Sequence, residues 1–402
     1  MTEEIFITGI GVISSIGVGK DHFHIGLREG RDGISEINEF DTNPFRAKKG
    51  GMVRGFDARE FIPISKIRKL DRASRMAIAA SRLALDDAGL AVTDTNCFET
   101  GIILGAGFCG LANSEAFHRG QVMGSFLEMN PMLFPNTVPN AATGNVSIEL
   151  GIKGVNSTVV QSYCSAEAAM IMACDMLAEG KAEVILTGGV DELSEILFRA
   201  YSALTLLSHD HGNGEVSRPY DVHRNGIILG EGAAVVVLER GKHVLRRGVE
   251  PYGRILGYSI VGETSPEFAV RDIGRAVKLA RGGTPRERTI DYISGAGNSS
   301  KGVDEMEARA IKGSFPSDAE RPPVSSIKSM MGECLSSGGM RMAANALILR
   351  EGFIPPTIHY HTPDPGCDLN YVVNRAVERK VRTVLHNGIS PGGTYASILL
   401  GS

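Results

Sequence analysis

Short apolar runs rich in β-branched residues alternate along the chain with longer segments whose apolar residues recur at helical spacing. Residues 74–88 and 165–178 show the helical spacing, and a glycine follows each segment within two positions, as at many helix ends. The alternation predicts an α/β protein with a parallel sheet covered by helices. The apolar runs, which we interpret as buried strands, are residues 5–8, 102–104, 184–187 and 233–238.

An internal repeat predicts how the α/β elements are divided into domains. IILGAG and then GEGAAVVVLE occur in the first part of the chain, and the similar segments YISGAG and GGTYASILLG follow in the same order in the second part. The shared order favours a duplication. A chain of 402 residues is also longer than the roughly 250–300 residues of one ordinary core. We therefore predict two related α/β halves, residues 1–245 and 246–402.

Composition excludes several classes of function. The formal net charge of −4 argues against general nucleic-acid binding and against a strongly basic membrane-surface protein. No segment reaches the roughly 18 uninterrupted apolar residues that a membrane-spanning helix needs, and the first residues show no signal-peptide pattern. The six cysteines lack metal-like pairing such as C-x-x-C, so we predict reduced thiols, no metal ion, no cofactor and a cytoplasmic location.

One cysteine occupies a position suited to chemistry. VVQSYCSAEAAMIMACDMLAEG predicts a strand, a sharp turn and a helix, with Cys164 at the start of the helix. The unpaired N–H groups and the partial positive charge of a helix N-terminus favour a thiolate, which is the nucleophilic form of cysteine. The alternative is a buried structural thiol, which is our interpretation of Cys174.

Ordered motifs along the whole chain resemble one family. ITGIGVISSIG, KIRKLDRASRMAIAASRLALDDAGL, the approach to Cys164, SRPYDVHRNGIILGEGAAVVVLE, SSIKSMMGE and NGISPGGTYAS are similar to segments of the elongating β-ketoacyl-acyl-carrier-protein synthases. The resemblance implies the thiolase-like α/β fold, in which two duplicated halves form a five-layered αβαβα core. It also implies a cysteine that takes an acyl chain from a carrier protein, and two histidines that promote condensation with malonyl-carrier protein.

Three positions depart from the family pattern. Where the family carries a motif like N-A-H-G-T-S-T, this chain reads SGAGNSS and has Ala296 in place of the first histidine. Where the family has K-S-x-x-G-H, this chain reads KSMMGE and has Glu333 in place of the second. An ionised glutamate only accepts hydrogen bonds, and near Cys164 it would raise the pKa of the thiol. In place of G-F-G-G-T-N the chain reads SPGGTY, and Pro391 has no N–H for an oxyanion hole.

Other family positions are retained. Each of these positions also has a purely structural interpretation. Lys328 and Glu307 would then form a structural ion pair, and Phe108 would be a core aromatic. The basic residues Lys66, Arg68 and Lys69 would lie on a solvated helix face. His386 ends an apparent strand and is a weaker candidate to replace the missing imidazoles. The resemblance implies catalytic residues Cys164, Glu333, Lys328 and Glu307, substrate-binding residues Phe108, Ala296, Pro391 and Gly392, and a carrier-protein-binding patch of Lys66, Arg68 and Lys69.

Three functions fit these observations. The first is an acyltransferase of fatty acid or polyketide biosynthesis in which Cys164 still accepts an acyl group while condensation is impaired or altered. The second is a degenerate, chain-length-factor-like subunit that pairs with a complete ketosynthase. The third is a transacylase or thioester hydrolase with Glu333 as the base. The expected partners are an acyl carrier protein and a second subunit, either a copy of this chain or a paralogous ketosynthase.

Overall fold

Each apolar run of the sequence lies in a strand, and the two segments with helical spacing are helices. The computed structural model describes residues 3–124, 129–263, 265–282 and 289–402. The strands are β1 Ile5–Ser14, β2 Gly17–Val18, β3 Ser35–Glu36, β4 Lys49–Gly50, β5 Thr100–Ala106, β6 Asn156–Val159, β7 Val184–Asp191, β8 Gly232–Arg240, β9 Gly253–Gly262, β10 Tyr292–Ser294, β11 Val324–Ser325, β12 Phe353–Ile354, β13 Val377–Glu378, β14 Thr383–Ser390 and β15 Thr394–Gly401. The helices are α1 Lys20–Glu29, α2 Ile64–Ile67, α3 Arg72–Asp87, α4 Leu111–Met123, α5 Ala141–Leu150, α6 Ser165–Ala178, α7 Glu195–Ala203, α8 Gly241–Arg247, α9 Ala269–Arg281, α10 Lys301–Ser314, α11 Lys328–Met331 and α12 Gly338–Glu351.

Two sets of five strands make up the main sheet. The first set has the order β6-β5-β7-β8-β1 and the second has the order β11-β10-β14-β15-β9. Both sets begin with two parallel pairs and continue with two antiparallel pairs. The sets join where β1 pairs with β9 over three residues of each strand. The matching order and direction of the strands agree with the internal repeat of the sequence. The boundary at residues 245 and 246 stays a prediction.

The prediction of a parallel sheet is correct for half of the strand pairs in each set and wrong for the other half. The turn between β14 and β15 contains only three residues, and so short a connection allows antiparallel pairing alone. The parallel pairs lie where a helix connects the strands. For example, α6 lies between β6 and β7, which both flank β5. Strand-and-helix alternation therefore predicted the elements correctly but not the direction of every strand.

The helices form three layers around the two strand sets. Helices α3 and α5 pack on the outer side of the first set, and α9 and α10 pack on the outer side of the second. Helices α6 and α12 contact strands of both sets and therefore lie between them. The order of layers is helix, sheet, helix, sheet, helix, which confirms the five-layered fold that the resemblance implies. Within the described ranges, no helix has the length and hydropathy needed to cross a bilayer.

Helix α6 approaches β5 so closely that Gly105 has no room for a side chain. A Cβ at Gly105 would lie 2.3 Å from the backbone nitrogen of Ala166 and 2.3 Å from the carbonyl carbon of Ser165. Both are backbone atoms of the first turn of α6, so no side-chain rotation relieves the overlap. This contact fixes the height of Cys164 above the sheet.

We predict that Gly105→Ala lowers the free energy of unfolding by about 1–3 kcal/mol, since overpacking forces the backbone to move. Gly144→Ala is the matched control, because that glycine lies in α5 and a Cβ there meets nothing within 4 Å. The control should leave stability unchanged or raise it by up to about 1 kcal/mol. Urea unfolding followed by circular dichroism measures both variants, and equal stabilities would contradict the close packing of α6 on β5.

Candidate functional site

Cys164 lies at a sharp turn between β6 and α6. It is the last residue of a 3₁₀ turn over Ser162–Cys164, and α6 begins at the next residue. Ser162 has a left-handed backbone with φ of 51°, which is an uncommon and strained conformation for a residue with a side chain. The backbone N–H of Cys164 donates to the carbonyl of Gln161 at 3.1 Å. The predicted strand, turn and helix are present, but this N–H group already has a partner.

The sulfur of Cys164 is fully buried and protonated. Its side chain has no exposed surface, and Sγ donates to the carbonyl oxygen of Thr394 at 3.4 Å. Burial raises the pKa of the Cys164 thiol well above its usual value, and the Glu167 carboxylate raises it further. The cations of Lys328 and Arg341 oppose this effect without cancelling it. Burial therefore opposes the helix-stabilised thiolate that the sequence suggests, and the reactivity of Cys164 stays a prediction.

Lys328 and Glu333 form a buried ion pair in the position that the resemblance assigns to catalysis. Lys328 Nζ lies 2.8 Å from Glu333 Oε2, and both side chains are at most 3% exposed. Asn298 Nδ2 donates to the same carboxylate at 2.8 Å, and Ser337 Oγ donates to Oε1 at 3.0 Å. Lys328 Nζ also donates to the carbonyl of Ala296 at 3.1 Å. The Glu333 carboxylate is thus held by three side chains, two of them on Oε2 and one on Oε1.

Glu307 supports the loop that carries Ala296. Its carboxylate accepts the backbone N–H groups of Ala296 and Gly297 at 2.8 to 2.9 Å and the hydroxyl of Tyr220 at 2.7 Å. All of these groups are buried. The structure therefore brings Ala296, Glu307, Lys328 and Glu333 into one bonded network, and their roles in catalysis and substrate binding stay predictions. The methyl group of Ala296 adds no hydrogen-bond donor to that network.

Pro391 and Gly392 lie in the turn of the β14–β15 hairpin, and both are exposed. Pro391 has no N–H, so the turn supplies no oxyanion donor at that position. The last residue of the turn, Gly393, is held in place by a hydrogen bond. Its backbone has φ of 85°, and its carbonyl accepts the N–H of Glu263 at 2.7 Å. A Cβ at Gly393 would lie 1.9 Å from the carbonyl oxygen of Glu263.

The remaining predicted residues lie outside this network. Phe108 follows β5, is 38% exposed, and donates its backbone N–H to the carboxylate of Asp191 at 2.9 Å. The basic patch is exposed on α2 and the turn after it. Lys66 of that patch pairs at 2.7 Å with Glu149, which also pairs with Arg82 at 2.8 Å, whereas Arg68 and Lys69 have no ion pair among the described residues.

A second buried network, below Cys164, was missed by the sequence interpretation. Glu167 follows Cys164 by one helical turn and contacts Arg341 Nη1 at 3.3 Å and His386 Nε2 at 3.0 Å. Asn345 Nδ2 bonds to the other ring nitrogen of His386 at 3.0 Å. The available signal was one arginine and one asparagine inside the otherwise apolar helix GGMRMAANALIL.

His386 therefore does not replace the missing imidazoles. Both of its ring nitrogens have partners, and burial lowers the pKa of the ring to about 4, with a further contribution from Arg341. The neutral ring donates from Nε2 to Glu167 and accepts at Nδ1 from Asn345. Among the described residues, no group of three or more His, Cys, Asp or Glu side chains is arranged to hold a metal ion.

Comparisons with known proteins cover almost the whole chain. A family model described as "Beta-ketoacyl synthase, N-terminal domain" matches residues 2–243, and one described as "Beta-ketoacyl synthase, C-terminal domain" matches residues 263–361. The chain is 33% identical over 405 residues to "3-oxoacyl-[acyl-carrier-protein] synthase 2" of Coxiella burnetii, with 98% of each chain covered. It is 31% identical over 399 residues to the protein of the same name from Synechocystis sp., with 97% of this chain and 96% of the relative covered.

Two solved structures are similar over the full chain. The structure titled "The ishigamide ketosynthase/chain length factor" has a TM-score of 0.90 at 31% identity, with 100% of both chains covered. A β-ketoacyl synthase from Burkholderia phymatum has a TM-score of 0.91 at 26% identity, with 100% of this chain and 99% of that chain covered.

The neutral, buried state of His386 makes stability depend on pH. The ring has a pKa of about 4 in the fold and about 6.5 in the unfolded chain, so the unfolded chain takes up the proton first and stability falls as pH drops from about 6.5 towards 4. Between pH 7 and pH 5 this amounts to a loss of about 2 kcal/mol.

We predict that His386→Gln removes that part of the pH dependence, measured by urea unfolding at pH 5, 6 and 7. Asp304 and Glu192, whose pKa values burial raises to about 7, act in the opposite direction but in both proteins alike. The difference between the two proteins therefore reports His386 together with its partner Glu167, whose pKa the ring lowers. An unchanged slope in the variant would show that the ring is charged in the fold.

Because Lys328 and Glu333 form an ion pair, we predict that substitutions at the two residues have non-additive effects on the free energy of unfolding. Lys328→Met leaves the Glu333 carboxylate buried without its cation and should lower the free energy of unfolding by about 3–5 kcal/mol. Lys328→Met combined with Glu333→Gln removes both charges and should cost clearly less than the single change. Chemical unfolding at pH 7 measures both. A double variant as unstable as the single variant, or less stable, would contradict the ion pair.

Proposed function

Because this chain belongs to the β-ketoacyl synthase family, we propose that it acts in carrier-protein-dependent fatty acid or polyketide biosynthesis as the non-condensing partner of a complete ketosynthase. In this role the chain shapes the assembly, and the ketosynthase carries out acyl transfer and condensation. This is the chain-length-factor-like function among the three that the sequence left open.

The closed Lys328–Glu333 pair carries this proposal. Decarboxylative condensation needs neutral donors near the thioester oxygen and an oxyanion hole. In this chain a carboxylate held by Lys328, Asn298 and Ser337 occupies the position of one expected histidine, and the methyl group of Ala296 occupies the other. Neither group donates a proton or a hydrogen bond to a substrate oxygen.

The two candidate oxyanion donors are also lost. Pro391 has no N–H, and the N–H of Cys164 donates to Gln161. The thiol of Cys164 is buried and protonated, so it is not a ready nucleophile. Five features at four residues (Ala296, Glu333, Pro391 and Cys164) thus oppose catalysis by this chain alone.

A surface suited to pairing lies beside the cysteine segment. Strand β6 ends the main sheet and has a neighbouring strand on only one side, so its other edge offers backbone groups to a second chain. Large apolar side chains are exposed next to β6 and on α5, which packs against β6. Val160, the residue after β6, is 53% exposed, and Ile148 of α5 is 81% exposed. An exposed apolar surface next to an open strand edge favours a protein–protein interface. The similar ishigamide structure is named as a ketosynthase/chain length factor, which supports pairing of this kind.

Acyl transfer to Cys164 is the second candidate function, and one observation favours it. The cysteine is kept on a strained turn whose Ser162 has a left-handed backbone, which is a costly feature for a purely structural thiol. Hydrolysis with Glu333 as the base is not favoured, because the carboxylate is buried in an ion pair with Lys328 and accepts two further hydrogen bonds.

The functions differ in their need for Cys164. We predict that the purified chain, given acyl- and malonyl-carrier protein, condenses at least about 10²-fold more slowly than a complete ketosynthase, since even one lost acid or base costs about 10²–10⁴ in rate. The complex with a ketosynthase should be active and should keep its rate when this chain carries Cys164→Ala.

Cys174→Ala is the matched control for packing changes, because Cys174 is a buried cysteine within α6. A cysteine-to-alanine change in the ketosynthase subunit should abolish the product. Robust condensation by this chain alone would contradict the proposal. Loss of activity in an intact complex that carries Cys164→Ala, with Cys174→Ala unaffected, would support acyl transfer instead.

A further inference from the structure

The residue before Cys164 is a tyrosine that is bonded to helix α7. Tyr163 lies in the 3₁₀ turn over Ser162–Cys164, and its hydroxyl donates to the hydroxyl of Tyr201 at 3.1 Å. Tyr201 belongs to α7 and is 9% exposed, and Tyr163 is half-buried. Each hydroxyl thus has the other as a partner, which is what buried polar groups need. We call Tyr163 and Tyr201 the tyrosine pair.

The tyrosine pair lies in an apolar cluster of the first half. The buried residues of this cluster include Leu193, Leu197, Phe198 and Leu335, and Leu111 packs against it. Leu335 follows Glu333 by two positions, so the cluster reaches the segment that carries the buried ion pair. Protein interiors contain few voids larger than a water molecule. The two phenol rings therefore fill the space between the turn of Cys164, α7 and the segment after Glu333.

The hydroxyls of the tyrosine pair lie in the electric field of Glu333. Burial raises the pKa of Tyr163, and the Glu333 carboxylate raises it further. Burial also raises the pKa of Tyr201 against the opposing hydrogen bond from Tyr163, and the carboxylates of Glu333 and Asp191 add to the increase. Glu333 occupies the position where the resemblance implies a catalytic histidine. The tyrosine pair therefore lies next to the place where that histidine would face a substrate.

Phe108, which the resemblance assigns to substrate binding, follows a segment that touches the same cluster. Asp191 accepts the backbone N–H groups of Phe108 at 2.9 Å and of Ser336 at 2.8 Å. A Cβ at Gly107 would lie 2.4 Å from the Cβ of Leu335. The segment that leads into the expected acyl pocket thus contacts the cluster that contains the tyrosine pair.

We propose that Tyr163 and Tyr201 are specificity-determining residues that exclude long acyl chains from Cys164. Their rings occupy the space that such a chain would need beside the thiol. This inference rests on the proposed function and deepens it, because it gives a steric reason why this chain does not carry the acyl group.

The exclusion has a steric part and a polar part. An entering alkyl chain would have to displace both rings and separate the two hydroxyls. A buried hydroxyl that loses its partner finds no other in apolar surroundings, and this loss is costly. The exclusion therefore acts on long alkyl groups more strongly than on small ones.

Alkylation of Cys164 measures access to the thiol without requiring catalysis. The folded, full-length chain is treated at pH 9 with iodoacetamide or with its N-octyl derivative, and peptide mass spectrometry follows the modification of Cys164. In both reactions the thiolate displaces iodide and forms a thioether. The ratio of the octyl rate to the iodoacetamide rate therefore cancels the effect of the thiol pKa and reports the room for an alkyl chain.

Tyr163→Ala combined with Tyr201→Ala should raise this ratio by about tenfold or more, because octyl entry no longer separates two buried hydroxyls. Tyr163→Phe combined with Tyr201→Phe keeps both rings and should raise the ratio less. Phe198→Ala is the matched control, since this ring also belongs to α7 but packs on Phe40 and Phe45, with ring centres 5.4 and 5.5 Å away. The control should leave the ratio unchanged.

Three results would overturn the inference. They are an unchanged ratio in the folded alanine variant, an equal rise in Phe198→Ala, or a phenylalanine variant that is as open to the octyl reagent as the alanine variant. Near-UV circular dichroism checks that each variant is folded. If the double alanine variant does not fold, Tyr163→Ala alone tests the same prediction, because this ring is only half-buried.

The proposed function is tested separately by condensation. An unchanged alkylation ratio in a chain that does not condense alone would reject the tyrosine pair as the barrier and keep the non-condensing role, which rests on Ala296, Glu333 and Pro391. Robust condensation by this chain alone would reject the proposed function itself, whatever the alkylation ratio.

Discussion

The buried ion pair of Lys328 and Glu333 determines what the rest of the site can do. Removing two charges from water is costly, and a pair this deep is stable only when further hydrogen bonds satisfy the carboxylate. Asn298 and Ser337 supply those bonds, and Lys328 also bonds to the carbonyl of Ala296. The pair therefore ties the Ala296 loop, α11 and the start of α12 into one arrangement. A substrate carboxylate or thioester would have to compete with these internal bonds.

The buried charges around Cys164 also explain why its thiol stays protonated. Cys164 lies between two buried networks, one containing Lys328 and Glu333 and the other containing Glu167 and Arg341. Each network pairs an anion with a cation, so their fields on the sulfur oppose one another. Desolvation then decides the outcome, and the thiol stays protonated and donates to Thr394. A helix N-terminus alone does not make a nucleophile when the sulfur has no contact with water.

Much of the fold was predictable from the sequence. Strand and helix patterns depend on neighbouring residues, and the internal repeat can be found by comparing segments of the sequence. The layers that the resemblance implies and the position of Cys164 at the start of α6 agree with the structure. Strand direction was not predictable from alternation, since it depends on the length of each connection. The network of Glu167, Arg341 and His386 joins residues more than 170 positions apart in the chain, so the polar residues of the apolar helix show that partners are needed but not which residues they are. The thiol pKa also depends on burial, which only the packed fold determines.

Acyl transfer to Cys164 tests the central claim most directly. Intact-protein mass spectrometry follows this chain, and separately a complete ketosynthase as a positive control, during incubation with long-chain acyl-acyl carrier protein. The account predicts that the ketosynthase becomes acylated while this chain gains no mass beyond that seen with its Cys164→Ala variant. A stoichiometric acyl adduct on this chain that disappears in Cys164→Ala would contradict the account, because it would show that the buried, protonated thiol is a working nucleophile.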